Sequence, residues 1–255
     1  MLAPTRLTRG LAAVATLGFA LCAAGGAAAS SFAVEPSTFT LVLPTRNATI
    51  TLTNLSDQPV RLRVSGQAWS EDDAGTLALT PTSELIVFPQ LFTIPPKGVQ
   101  RVRAAVVAPP SSVEQAFRIV IEDLPPLDQT IRATPGTNIT IRTRFTLPIY
   151  VEPLSRAPAG RLENVGAHDG RLTFTVQNLG NTHLAGDTMS VAGRDGKGKV
   201  LFADTIDRWH VLAGARRIYT LGVDKAVCAS LRSVTISSPA ASMLPAQTVD
   251  VASCS

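Results

Sequence analysis

The chain has 255 residues, 45% of them hydrophobic and 16% charged, with a formal net charge of +4. Basic and acidic residues are evenly mixed: 10 against 11 over residues 30–152, and 11 against 8 beyond. Neither stretch carries the one-signed field that nucleic acid or anionic lipid requires, so both are excluded as partners.

Residues 1–29 read as an address. Arg6 and Arg9 precede an apolar run over 11–24, shorter than the roughly 20 residues that span a bilayer. Ala27-Ala28-Ala29 then fits the small-residue rule of a cleavable secretory signal. Its removal takes two of the 23 basic residues and leaves 21 against 19, a net charge of +2. No later segment is apolar and long enough to cross, so no stable membrane insertion is expected.

From residue 30 to 152 short β-rich runs alternate with turn residues. Strands are predicted over 32–42, 48–54, 60–68, 85–88, 92–94, 99–107, 116–122 and 139–151. That density is the density of a β-sandwich. Residues 153–160, rich in proline and small side chains, read as a linker, and early proteolysis is expected either there or in the long connection over 123–137. A second series occupies 161–255, with strands over 171–178, 183–192, 199–203, 217–223 and 233–237. In the first of these Leu172, Phe174 and Val176 share one face. Apolar spacing of 3.6 residues is sustained over several turns nowhere outside the first 29 residues. Two all-β domains result.

Cys22 leaves with the address, so Cys228 and Cys254 form the remaining pair. In an exported, oxidising setting an even count favours a disulfide, which would close 25 intervening residues and contribute about 3 kcal/mol. Spacing alone leaves two unpaired thiols open.

Little points to catalysis. The three histidines, His168, His183 and His210, show no metal-ligand spacing, and His168-Asp169-Gly170 reads as a turn. No nucleophile elbow, phosphate loop or dinucleotide fingerprint is present. Glu71-Asp72-Asp73-Ala74-Gly75 lacks the alternating ligands of a calcium loop and reads as a solvated hairpin turn. No enzyme, metal or cofactor is expected.

The richest segment is 138–151, NITIRTRFTLPIYV. Ile139, Ile141, Thr143, Phe145 and Leu147 fall on one face of an extended strand, and Thr140, Arg142, Arg144 and Thr146 on the other. Such a strand either closes the chain's own sandwich or is offered to another protein.

Residues 49–126 carry a further pattern: ITLTN at 50–54, Trp69, the run PTSELIVFPQLFTIPPKGVQRVR at 81–103, and EQAFRIVIEDLPP at 114–126. In order and spacing this block resembles the N-terminal domain of the periplasmic pilus-assembly chaperones, the PapD-like family. The phrase IRTRFTLPIYV resembles its archaic, spore-coat-U-like branch. The resemblance implies two immunoglobulin-like sandwiches in a boomerang, no catalysis, a periplasmic location, and pilus or fimbrial subunits and an outer-membrane usher as partners. It also implies that Ile139, Ile141, Thr143, Phe145 and Leu147 form a strand lent to an incomplete subunit by β-augmentation. Four large apolar side chains so buried yield a gross gain of roughly 6–12 kcal/mol before ordering costs.

The cations that hold a subunit's C-terminal carboxylate in other members align with Thr38 and Thr146, and Glu152 stands where an interdomain arginine is usual. Arg103, Arg118 and Arg144 are therefore the candidate carboxylate anchors. A secreted immunoglobulin-like subunit or adhesin of a surface appendage is the alternative reading.

Overall fold

The computed structural model describes residues 31–125, 142–239 and 243–251; residues 1–29, Ile139, Ile141 and Cys254 lie outside these. The first half contains β1 (Phe32–Glu35), β2 (Phe39–Leu41), β3 (Asn47–Asn54), β4 (Val60–Glu71), β5 (Leu77–Pro81), β6 (Leu85–Phe88), β7 (Leu91–Ile94), β8 (Val99–Val106), β9 (Gln115–Leu124) and β10 (Arg144–Val151). They form two sheets. One has the order β1-β3-β8-β6, the other β2-β10-β9-β4-β5 with β7 also paired to β4. Alternation along each strand sends one face inward: Ile50 and Leu52 of β3 and Val102 of β8 meet Leu62 of β4 and Ile119 and Ile121 of β9 in one core.

The predicted strand over 32–42 is in fact two. Pro36 has no N–H to donate and a fixed φ, so the ladder stops there. β1 pairs with β3 in the first sheet, whereas β2 runs parallel to β10 in the second. The chain thus changes sheets at Pro36.

The second half contains β11 (Gly160–His168), β12 (Arg171–Asn178), β13 (Leu184–Arg194), β14 (Val200–Val211), β15 (Arg216–Gly222), α1 (Lys225–Ser230), β16 (Ser233–Ser237) and β17 (Gln247–Asp250). Its sheets are β11-β12-β15 and β14-β13-β16-β17. Leu172, Phe174 and Val176 are completely buried against Met189, Val191 and Trp209. His168-Asp169-Gly170 is the expected turn: Asp169 and Gly170 have φ of 47° and 72°, the left-handed pair of a two-residue hairpin loop. The short helix α1 was not expected. Asp224 caps it by accepting from Ala226 N and Val227 N, and its Cys228 is buried and disulfide-bonded. No helix among the described residues is long and apolar enough to cross a membrane.

Each half reuses one corner. Asn54 ends β3 and donates to the carbonyls of Gln58, Ile94 and Pro95; Asn178 ends β12 and donates to those of Thr182, Val211 and Leu212. Both asparagines are almost wholly buried, so the amide satisfies carbonyls that would otherwise be orphaned.

The two halves meet in a small core of their own, built from Trp69, Tyr150 and Leu212. The acidic turn after β4 is a hairpin turn as expected, but it is not merely solvated. Asp73 receives Ile218 N at its carbonyl, 2.7 Å, and Arg216 at its carboxylate. The segment expected to be an open linker is pinned as well. Leu154 N reaches Ser111 O, Ala157 N reaches the Asn181 side chain, and Leu179 N and Gly180 N both reach Ala159 O. Only glycine fits at 180, where a Cβ would stand 2.5 Å from Ala159 N.

Candidate functional site

β10 carries the segment singled out above. Asp123 N donates to Thr143 O at 3.0 Å, and Glu152 N donates to Leu41 O on β2 at 2.9 Å. Backbone groups of successive residues in a strand point to opposite edges. Odd-numbered residues of β10 therefore bond to β9, and even-numbered ones face the other way. On that other edge β2 pairs only with Ile149–Val151. The N–H and C=O of Arg144 and Thr146 consequently lie on an edge that no strand among the described residues pairs with, and the first bridge, Ile149 with Phe39, begins at the Pro148 C=O. Proline is tolerated at 148 because its missing N–H would have pointed to this edge.

The inward face of the same strand changes character along its length. Leu147 and Ile149 are completely buried in the chain's own core, Phe145 is 41% exposed, and Thr143 is exposed. Leu147 is thus corrected: it has no surface left to lend. Thr143 and Phe145 line an opening of about 250 Å³ with Ser31, Phe32 and Val34 of the β1 region. The mouth of the sandwich is open between the start of β1 and the start of β10.

The outward face of β10 meets the three candidate arginines differently. Arg118, on β9, donates from Nη1 to Thr146 Oγ1 at 3.0 Å and lies 3.9 Å over the Trp69 ring. Its Nε is buried without a partner, and it forms no ion pair among the described residues. Burial lowers its pKa, opposed by the Tyr150 hydroxyl and the Glu71 carboxylate nearby. Burial also pushes the Tyr150 phenol above its ordinary value. Arg144 pairs with Glu122 at 3.5 Å on the exposed surface. Arg103 is on β8, in the other sheet, between Thr49 and Phe88. It therefore lies on the opposite sheet from the β10 edge. Arg103 instead borders a shallow hollow of about 430 Å³ with the exposed Ile86 and Phe88. Sequence reasoning missed Trp69 and Tyr150 as neighbours of the anchor candidate, because only the fold joins β4, β9 and β10.

Residues 31–155 match the family described as "Pili and flagellar-assembly chaperone, PapD N-terminal domain". Residues 31–155 are a PapD-type chaperone domain. Solved structures agree in fold. The chaperone–tip subunit pre-assembly complex of CsuC and CsuE, from the archaic chaperone-usher Csu pili of Acinetobacter baumannii, is 13% identical. It covers 87% of this chain and 98% of its own, with a TM-score of 0.57. The CupB2 chaperone of Pseudomonas aeruginosa is 16% identical over 86% and 98%, with a TM-score of 0.51. The SafA pilin–SafB chaperone complex of Salmonella enterica is 16% identical over 81% and 88%, with a TM-score of 0.50. No curated protein matches the chain in sequence. These PapD-like structures establish two immunoglobulin-like β-sandwiches as the fold class.

Proposed function

We propose that this PapD-like protein captures incomplete pilus or fimbrial subunits by lending them the N-terminal part of β10, and then delivers them to an outer-membrane usher. The observation that carries the reading is the strand's change from own core to open mouth. Leu147 is sealed inside, while Phe145 and Thr143, two and four residues earlier on the same face, stand exposed beside an unpaired edge. A subunit strand added there gains main-chain hydrogen bonds, and apolar side chains fill its groove. By the same alternation Ile139 and Ile141, outside the described residues, extend the lent set to Ile139, Ile141, Thr143 and Phe145.

Arg118 is the assigned carboxylate anchor. Other members keep a cation on the lent strand itself, where this chain has Thr146. Arg118 reaches that same threonine from the neighbouring strand. A half-buried guanidinium without an ion pair is suited to an incoming carboxylate. The loss of the usual cations also supports the archaic branch. When a subunit occupies β10, the exposed Ile86–Phe88–Arg103 face on the opposite sheet stays free for an usher. The domains are assigned as 30–152 and 161–255, after a cleaved 1–29, and the location as periplasmic. No enzymatic role is assigned. The alternative, a pilus subunit or adhesin, is disfavoured because β10 already supplies the last strand of the first sandwich.

The test is co-expression with a subunit. Phe145→Asp should abolish recovery of a soluble complex and leave the free protein folded, since the charge stays hydrated until a groove closes over it. Undiminished complex, or an unfolded free variant, overturns the reading.

A further inference from the structure

Two of the three histidines bridge the two sandwiches, each to a buried carboxylate. His183 Nδ1 lies 2.8 and 2.9 Å from the oxygens of Glu114, whose side chain is 3% exposed. His210 Nε2 lies 2.5 Å from Glu71, whose side chain is 5% exposed. In each pair the glutamate belongs to the first half and the histidine to the second. Among the described residues neither glutamate has any other ion pair.

The rings are not isolated. His183 stacks on Tyr150 of β10 at 4.0 Å between centroids, and His210 packs against Trp69 at 5.4 Å. Trp69 in turn contacts Tyr150 and carries Arg118 on its face. A continuous series of contacts, Glu114–His183–Tyr150–Trp69–His210–Glu71, therefore crosses the joint directly behind β10. The charged and titratable groups facing it among the described residues are these two glutamates, Tyr150 and Arg118 from the first half, and Tyr219 and Arg217 from β15, the latter donating to His210 O.

We propose that His183 and His210 are positioning residues that make the joint proton-responsive, holding the second sandwich firmly against the β10 sheet when protonated and releasing it when neutral. A buried carboxylate is compensated by an imidazolium but not by a neutral ring, which offers only a hydrogen bond. Imidazole is the side chain that gains or loses charge between about pH 5 and 8. The sign follows. While both rings carry a proton, both pairs are ionic and the joint is closed. When the rings lose their protons with rising pH, Glu71 and Glu114 lose their counter-charges, water enters, and the joint loosens. The neighbouring Asp73–Arg216 contact behaves differently. Its arginine hydrogen bond and charge hold the Asp73 carboxyl below its usual range, so this contact is constant across the window. The inference does not depend on strand lending.

The experiment measures residual dipolar couplings of the full mature chain at about pH 5.5 and about pH 8.5, on either side of the histidine range. The expected result is one alignment tensor for both sandwiches at the lower pH. At the higher pH the tensor of the second sandwich should fall in magnitude relative to the first. In the double variant His183→Gln/His210→Gln, which keeps amide donors but no titrating group, the ratio should be the same at both pH values. A pH-independent ratio in the wild-type chain overturns the proposal, and so does a wild-type pH response retained by the double variant.

Discussion

At the residue scale, Phe145 and Leu147 divide β10 between two duties, and acidic substitutions at the two positions should behave oppositely. Leu147→Asp places a charge in a site with no solvent exposure, so the free protein should lose several kcal/mol and unfold on heating well below the wild type. Phe145→Asp should leave the melting curve nearly unchanged. Equal melting losses for both would place Phe145 in the chain's own core. Arg118→Ala should lower subunit capture more than Arg144→Ala, whose partner Glu122 sits on an exposed surface where an ion pair is worth about 0–1 kcal/mol. The comparison is read as complex yield at matched expression. Equal losses would deny Arg118 the anchor role. The alternation over 139–147 was legible in the sequence because period two needs no fold to be seen. The point where burial begins was not legible, since it depends on how far β1 and β9 extend beside β10.

At the element scale, the unpaired edge of β10 makes a backbone prediction. Thr146→Pro removes an N–H that points away from β9, so the strand's own ladder should survive. Capture should fall further than in Thr146→Val, which loses only the hydroxyl bonded to Arg118. Equal capture by the two variants, measured by pull-down of a subunit, would show that this edge is not the one used. Strands escaped sequence reading where burial is slight. β5 has no buried residue, β11 has one, Leu162, and β17 has none. A strand that contributes its backbone to a sheet edge but few side chains to a core leaves no hydrophobic alternation to detect. The central strand β12, with Leu172, Phe174 and Val176 wholly buried, has the bounds that its alternation predicts.

At the scale of the whole molecule, the junction is a structured contact rather than a tether. Native-state proteolysis should therefore spare 153–160, because its backbone is bonded to Ser111, Asn181 and the Leu179–Gly180 pair. Early cleavage there, identified by N-terminal sequencing of the fragments, would contradict the pinned arrangement. The disulfide of Cys228 is proposed to run to Cys254. The mature protein should then show no alkylatable thiol when denatured without reductant, and its reduction should cost about 2–4 kcal/mol. Two free thiols would refute the pairing.

Composition, spacing and period two were enough to establish two β-rich halves, a family resemblance centred on residues 49–126, and a strand with one apolar face. Each of these is local, written in neighbouring residues. The tertiary structure decided the rest. It separated Leu147 from Phe145, set Arg118 against Thr146 of β10 and Arg103 on the opposite sheet, and gave the acidic turn and two histidines partners in the other half. Those facts join residues up to 143 positions apart, as between Asp73 and Arg216. Their physical cause is the pairing order of strands and the docking of two sandwiches, which no short stretch of sequence encodes.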